Sequence, residues 1–315
     1  MLTLRNLVGI AHPPYLFQPA QIVNRVWRDL AWRSSVRQTV RLPWGLDITV
    51  NPQEAVGRNI CARGLYDLPV TETLWRLADP GEVAVDVGAN IGYTAGLFAI
   101  RVGPKGRVHC FEPHPGIFRR LRENIAGWRG GGKCGELILY ELAVGAARGV
   151  ATLQTSNCFD KNNGTARIVS GTGGSDGLAI EVSVRALDAL LPENEKVGIV
   201  KIDAEGSELE ILKGMERLLN QRRVRDIVYE EASGFPAPTH DLLLSYGYTV
   251  LGLEEGLLGV VCVRGRAPAR PADAEPSSYL ATLDPDRALR RLARKGWQSF
   301  GLLSWAWRRR TVANG

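Results

Sequence analysis

Val83-Ala84-Val85-Asp86-Val87-Gly88-Ala89-Asn90-Ile91-Gly92 is an apolar run ending in an acid and a glycine turn, and Phe111-Glu112-Pro113 follows about twenty residues later. A β-prone run, a Gly-x-Asn-x-Gly turn and a helical segment over 94–101 describe a buried parallel strand opening into a helix. Doubly wound sheets are built from this unit, and their ligands bind just outside the strand ends. Glu112 closes the next apolar strand, over 107–111, where an acid accepts hydrogen bonds from ribose hydroxyls. Together these features predict a pocket for an adenosine-bearing cofactor.

Charge selects the cofactor. A dinucleotide brings a doubly negative pyrophosphate to the helix N-terminus and needs the spacing G-x-G-x-x-G. Here Asn90 falls where the second glycine would stand and Tyr93 where the third would, and the carboxylate of Asp86 immediately precedes the turn. S-adenosylmethionine carries a sulfonium, an ammonium and a carboxylate, so its positive charge suits an acidic turn. Asp86, Gly88, Ala89, Asn90, Gly92 and Glu112 are therefore the candidate cofactor residues. The competing enzyme reading is a nicotinamide-dependent oxidoreductase on the same kind of fold.

With 315 residues, 45% of them hydrophobic, the chain can bury a full α/β core. Its five cysteines are scattered, with no C-x-x-C pair, which points to a reducing compartment and to neither a zinc site nor a disulfide framework. The apolar stretch over 7–11 is broken by His12-Pro13-Pro14, and no run approaches membrane-spanning length, so a cytoplasmic protein is expected. The net charge is +6, yet eight basic residues and no acid lie between Arg287 and Arg310. The remainder is slightly acidic, which argues against nucleic acid as a partner.

Along the chain, residues 20–38 read as an amphipathic helix in an N-terminal segment, 1–39, and 40–50 as a hairpin turning near Gly45. A helix over 71–77 stops at Asp79-Pro80-Gly81. Helices and strands then alternate: a helix near 115–126, strands near 137–144 and 197–202, a helix near 208–220 and a strand near 226–230. The alternation predicts a mostly parallel sheet with helices on both faces. Two strand-like runs, 248–253 and 257–263, are joined by too few residues for a crossover and should pair antiparallel. The main domain is thus 40–264. Residues 145–184 read as a β insertion, either a substrate lid or a plain surface hairpin, and 265–286, rich in Pro, Ala and Asp, as a linker.

Methyl transfer from a sulfonium is an in-line displacement on an activated electrophile, so the protein must align the partners and remove the acceptor's proton. Lys201-Ile202-Asp203-Ala204-Glu205-Gly206-Ser207-Glu208 supplies acids at a strand end. Asp203 and Glu205 are candidates for general base, acceptor of substrate hydroxyls or metal ligand. Ser207 with Glu210 matches a capping box, and Glu208 favours the helix dipole. Glu230 and Glu231 end the next strand; adjacent residues point to opposite faces, so one of them faces the pocket. His12, His109 and His240 stand alone in the sequence, and His114, beside Glu112, either lines the adenosine pocket or lies on an exposed loop.

The chain resembles the FkbM-type S-adenosylmethionine-dependent methyltransferases. The matching pieces are Pro43-Trp44-Gly45, Gly64-Leu65-Tyr66-Asp67, where the family usually has Glu in the last place, Asp86 to Tyr93, Phe111-Glu112-Pro113, Ala143-Val144-Gly145, Leu187-Asp188 and Val200 to Glu208. The resemblance implies a Rossmann-like methyltransferase fold with a C-terminal antiparallel hairpin, S-adenosylmethionine as donor, and O-methylation of a saccharide, glycan or polyketide-like hydroxyl on a small-molecule or glycan acceptor. It adds Ala143 to the cofactor residues and favours Glu230 over Glu231 in the pocket; no metal site is assigned. The tail, 287–315, lies outside the matching region. Leu289, Leu292, Ala293, Trp297, Phe300, Leu303 and Trp307 share one face of a helical wheel, opposite five basic residues. Such a helix suits an anionic membrane surface through 287–310, which would make the protein membrane-peripheral or, without catalysis, an adaptor; equally it could pack on its own domain.

Overall fold

In the computed structural model, which describes residues 37–128, 132–154, 167–169, 179–268 and 277–300, the chain opens with an antiparallel hairpin of β1 (Gln38–Arg41) and β2 (Asp47–Val50). The expected turn at Gly45 is present, with φ +88°. The helix expected over 20–38 lies outside the described residues except at its C-terminal end. Then come α1 (Ala55–Arg63), α2 (Leu68–Leu77), β3 (Val83–Val87), α3 (Tyr93–Val102), β4 (Arg107–Phe111), α4 (Pro115–Ala126) and β5 (Glu136–Tyr140). A smaller sheet of β6 (Ala143–Val144), β7 (Gly149–Gln154), β8 (Arg167–Val169) and β9 (Ala179–Arg185) follows, in the order β6-β9-β7-β8. It falls in the region that the sequence reads as a β insertion, 145–184; residues 155–166 and 170–178 within it lie outside the described set.

The chain re-enters the main sheet through α5 (Leu187–Leu190) and β10 (Val197–Ile202), then runs through α6 (Glu208–Lys213), α7 (Glu216–Asn220), β11 (Val224–Glu231), α8 (Pro238–Ser245), β12 (Thr249–Gly256), β13 (Gly259–Val263), β14 (Ser277–Thr282) and α9 (Pro285–Leu292). The eight strands lie in the order β13-β12-β14-β11-β10-β3-β4-β5. The five from β11 to β5 are parallel, and β12 pairs with β13 antiparallel, as the short connection predicts. From β3 the chain first steps towards β4 and later returns to the other side at β10. The order therefore reverses between β3 and β10, and a crevice opens at their carboxyl ends.

Each central strand is buried on both faces, and its alternation sorts residues into two layers. Val85, Val87, Val200, Ile202, Ile227 and Tyr229 pack on one face, Ala84, Ile199, Val228 and Leu280 on the other. Asp86 and Lys201 stand directly opposite each other in the register. By the same alternation they follow Ala84 and Ile199 onto the face covered by α2 and α3.

The structure revises several expectations. The linker reading of 265–286 fails at 277–282, because β14 inserts antiparallel between β11 and β12, pairing Tyr279 with Tyr229 and Leu280 with Leu251. The strand expected near 137–144 is divided, its last two residues leaving to start the small sheet. The helix near 208–220 breaks at Gly214, where a Cβ would lie 2.0 Å from the Gly145 carbonyl oxygen, so only glycine allows that approach. The capping box does not form. Glu208 Oε1 accepts from the backbone N–H groups of Ala204 and Gly206, both at 3.1 Å, while Glu210 pairs with Lys213.

The basic segment is docked on its own domain as far as residue 300. Arg287 bonds Asp226 and Asp79, and Arg291 bonds Asp79. Arg76 of α2, buried and paired with Glu72 at 2.5 Å, donates to the carbonyls of Arg291, Leu292, Arg294 and Gly296. Glu72 in turn accepts from the N–H groups of Gln298 and Ser299, both at 2.8 Å, and Trp297 is fully buried. Removing one member leaves a buried charge and orphaned backbone groups. Glu72→Gln or Arg76→Met is expected to cost about 3–5 kcal/mol of stability, read by denaturant unfolding. An unchanged midpoint in both variants would refute this anchoring role.

Candidate active site

Gly88 forces the turn after β3 to pass beneath the end of β10. Its φ is +77°, and a Cβ there would stand 1.9 Å from the Asp203 carbonyl oxygen. The N–H groups of Gly88 and Ala89 donate to the Phe111 carbonyl at 3.0 and 2.9 Å, stitching the turn to the end of β4. Asn90 takes a left-handed conformation, φ +49°, and Gly92 precedes α3 as its N-cap. The predicted turn residues thus lie together on one loop.

The same loop aims Glu112. Its two carboxylate oxygens accept one backbone N–H each, Asn90 at 3.0 Å and His114 at 2.9 Å, which leaves further lone pairs for a ligand. Burial pushes this carboxyl up to about 7, against the pull of those two N–H groups. His114 Nδ1 accepts from the N–H groups of Gly116 and Ile117 and caps α4. His109 is held between Tyr140 and Glu195, and His240 is buried among Phe235, Tyr229 and Tyr279.

Lys201 joins the two acids of the crevice. Its ammonium lies 2.9 Å from Asp203, 3.8 Å from Asp86 and 3.2 Å from the Gly88 carbonyl oxygen. Burial opposes its charge, but Asp203 and Asp86 outweigh this and hold it above the usual lysine range. Asp203 takes the closer contact. Asp86, fully buried, has no hydrogen-bond partner of normal length on either oxygen, and burial raises it to about 6 despite Lys201. A buried acid with open lone pairs needs a donor or a cation. This pair of carboxylates, Asp86 buried in β3 ahead of the turn and Glu112 bonded to the turn at Asn90, fits a cationic, hydroxyl-bearing cofactor such as S-adenosylmethionine and not a pyrophosphate.

Beside the turn a small cleft is lined by Tyr66, Asp67, Thr71, Tyr93, Lys201, Asp203, Glu230 and Ser278 among others. Asp203, with 25% of its side chain exposed against none for Asp86, is the acid that an incoming group can reach. Glu230 lines the cleft, whereas Glu231 bonds the Ser233 N–H and the Thr239 hydroxyl. Glu205 sits in the turn after β10, with φ +51°, and is not part of the cleft wall. Ala143 is drawn into the small sheet, where it packs with Leu153 and Val182, so its side chain serves packing. Among the described residues no three His, Cys, Asp or Glu side chains group closely enough to hold a metal ion.

Sequence reasoning quoted Lys201, Tyr66, Asp67 and Tyr93 but gave them no role. A lysine inside an otherwise apolar strand was the available signal, since lysine is almost never buried unpaired. Ser278 carries none, because the Pro, Ala and Asp around it have the composition of a linker.

Comparison with known proteins places this geometry in context. The methyltransferase FkbM domain model matches residues 86–250. The 31-O-demethyl-FK506 methyltransferase FkbM of Streptomyces tacrolimicus is 31% identical over 76% of this chain and 99% of its own length. The hexuronic acid methyltransferase AglP of Haloferax volcanii is 30% identical over 71% of this chain and 89% of its own. The crystal structure of methyltransferase FkbM from Methylobacillus flagellatus superposes with a TM-score of 0.39 at 19% identity, covering 64% of this chain and 43% of that one.

Proposed function

Because this chain belongs to the FkbM methyltransferase family, we propose that it methylates a hydroxyl of a saccharide, glycan or polyketide-like acceptor, with Asp203 as general base. The relatives named for a macrolide and for a hexuronic acid support this range. When bound, S-adenosylmethionine supplies a methyl group already activated by the sulfonium. Asp86 would face its cationic end, Glu112 its ribose hydroxyls, and the 88–92 turn would close around it. Lys201 keeps Asp203 in place beside the cleft, where its carboxylate takes the hydroxyl proton as the new bond forms. Glu230, also in the wall, would hold a neighbouring hydroxyl. The observation that carries this reading is the Asp86–Lys201–Asp203 bridge, which sets a cofactor acid and an accessible acid on one cation.

Calorimetry with S-adenosylmethionine tests the cofactor, and uptake of labelled methyl from it by cell-extract fractions tests the transfer. No binding by wild type would sink the proposal. An oxidoreductase would instead bind NAD(P). Titration gives a sharper expectation. Glu112 ionises near 7 in the folded chain against 4.5 ordinarily, so the fold holds a proton that the unfolded chain has lost. Stability without cofactor should fall as pH rises through that window. Ribose hydroxyls donate to the ionised form, so binding near pH 6.5 should release protons and weaken as pH falls. Calorimetry in two buffers of different ionisation enthalpy reads the release; identical heats would count against Glu112 as the ribose ligand.

The four described cysteines are unpaired, which supports a reducing, cytoplasmic setting. Among the described residues no helix is long and apolar enough to cross a membrane. Among the described residues, contact with an anionic membrane through 287–310 would rest on Arg290, Arg294 and Lys295, which are exposed, since Arg287 and Arg291 are engaged with Asp79 and Asp226.

A further inference from the structure

We infer that the tip of the β12–β13 hairpin and the basic turn after α9 form one docking surface for an anionic lipid membrane. This deepens the membrane contact described above for 287–310 and rests on that reading, not on the methyltransferase one. Gly256 pairs with Gly259, so the hairpin closes through a two-residue loop, Leu257-Leu258, beside the edge strand β13. Loops of this length favour Asn, Asp and Gly, which suit both the turn and water. Here both positions are leucine, exposed to 64% and 49%. Neither the turn nor the core calls for them, and together they present a continuous apolar tip.

The basic turn is fixed against this tip. The Leu258 carbonyl accepts the Gly296 N–H at 2.7 Å, the Leu257 carbonyl accepts Trp297 Nε1 at 3.3 Å, and a Cβ on Gly259 would lie 3.5 Å from the Arg294 carbonyl oxygen. Arg290, Arg294 and Lys295 are exposed, and among the described residues no acid pairs with them. Of the two acids in the hairpin, Glu254 pairs with Arg266 at 2.9 Å, so the three cations outnumber Glu255. On the same turn, Arg294 and Gln298 line a polar cavity with Arg76, Arg101, Arg291 and Asp79. Asp79, its one acid, is bonded to Arg287 and Arg291, while Arg294 and Gln298 dock the segment through backbone groups alone. Their side chains keep donors for a phosphate-bearing headgroup.

Leucines beside such cations match a bilayer surface, where apolar side chains enter the acyl boundary and each cation near the headgroups adds attraction. A second copy docking through the same patch would set these cations against their own images. Nucleic acid would use the cations and leave the leucines in water. The sequence that follows, with Leu302, Leu303, Trp305 and Trp307 ahead of Arg308-Arg309-Arg310, continues the same composition.

The test is sedimentation of the full chain with vesicles of phosphatidylcholine alone and of an equal mixture with phosphatidylglycerol. Partition into the mixed vesicles should exceed that into phosphatidylcholine by at least about tenfold and weaken as salt rises. Leu257→Ser with Leu258→Ser, and separately Arg294→Gln with Lys295→Gln, should each lower it by about tenfold or more. All four side chains are exposed, so circular dichroism should report a native fold in both variants. Native partition in the leucine variant overturns the inference. If Trp305→Ser with Trp307→Ser then abolishes partition, the contact belongs to the tail alone and the broader membrane reading stands. Absence of binding to mixed vesicles overturns both. A dimer that forms without lipid and depends on Leu257 and Leu258, seen by light scattering, would assign the surface to a second copy, and binding of duplex DNA in place of vesicles would assign it to nucleic acid; either result overturns the proposal.

Discussion

Asp203→Asn should slow methyl transfer by about 10²–10⁴-fold, the usual range for loss of a general base, while affinity for S-adenosylmethionine changes little. The asparagine keeps the shape of the side chain but cannot take a proton from an alcohol. The Lys201 ammonium, 2.9 Å from Asp203 in the native chain, then relies on Asp86 at 3.8 Å and on the Gly88 carbonyl. Because Asp86 and Glu112, the carboxylates proposed to hold the cofactor, are untouched, binding measured by calorimetry should survive and only turnover should fall. Turnover at the wild-type rate with a true acceptor would remove Asp203 as base and shift the role to Glu230, the other carboxylate of the cleft on a neighbouring strand.

Gly88→Ala should abolish cofactor binding. The new methyl would stand 1.9 Å from a backbone oxygen, that of Asp203, in a conformation with φ +77°. The left-handed conformation alone costs roughly 1–2 kcal/mol for a residue with a Cβ. Relieving the clash must separate the β3 turn from the end of β10. That movement disturbs the Asp203 N–H bond to the Val87 carbonyl, the Lys201 bond to the Gly88 carbonyl and the two N–H bonds to Phe111. The loop that aims Glu112 would lose its footing. Calorimetry should show affinity lowered by at least about 100-fold, more than 2.7 kcal/mol, with circular dichroism reporting whether the sheet remains. Native affinity in a folded variant would show that the turn does not form the cofactor floor.

Much of this was legible from residue order alone, for a physical reason. A buried parallel strand must be apolar on both faces, so an acid such as Asp86 at the end of one is conspicuous, and a turn that needs positive φ favours Gly or Asn. Those constraints are local. They determined the central sheet, the glycine turn after β3, Glu112 beside it and the strand-end acid Asp203. Two neighbouring acids must face opposite ways along a strand, and the structure puts Glu230 in the cleft and turns Glu231 towards Thr239.

What remained hidden depended on partners distant in sequence. β14 has a short, weakly patterned sequence, Ser277–Thr282, and is a strand because β11 and β12 offer it hydrogen bonds on both sides. The basic residues after 286 have the composition of a membrane-seeking helix. Asp79, Asp226 and the buried Glu72–Arg76 pair, some 60 to 230 residues earlier, draw that segment onto α2. Ala143 pairs in parallel with β9 and so starts the small sheet, a position that its local sequence does not announce. Local backbone and burial rules thus determined, from sequence, the glycine turn after β3 and which acids stand at the strand ends. Only the tertiary structure decided what surrounds them, a paired lysine and an acidic, tyrosine-walled cleft, because charge compensation and side-chain contact are set by which strands lie side by side.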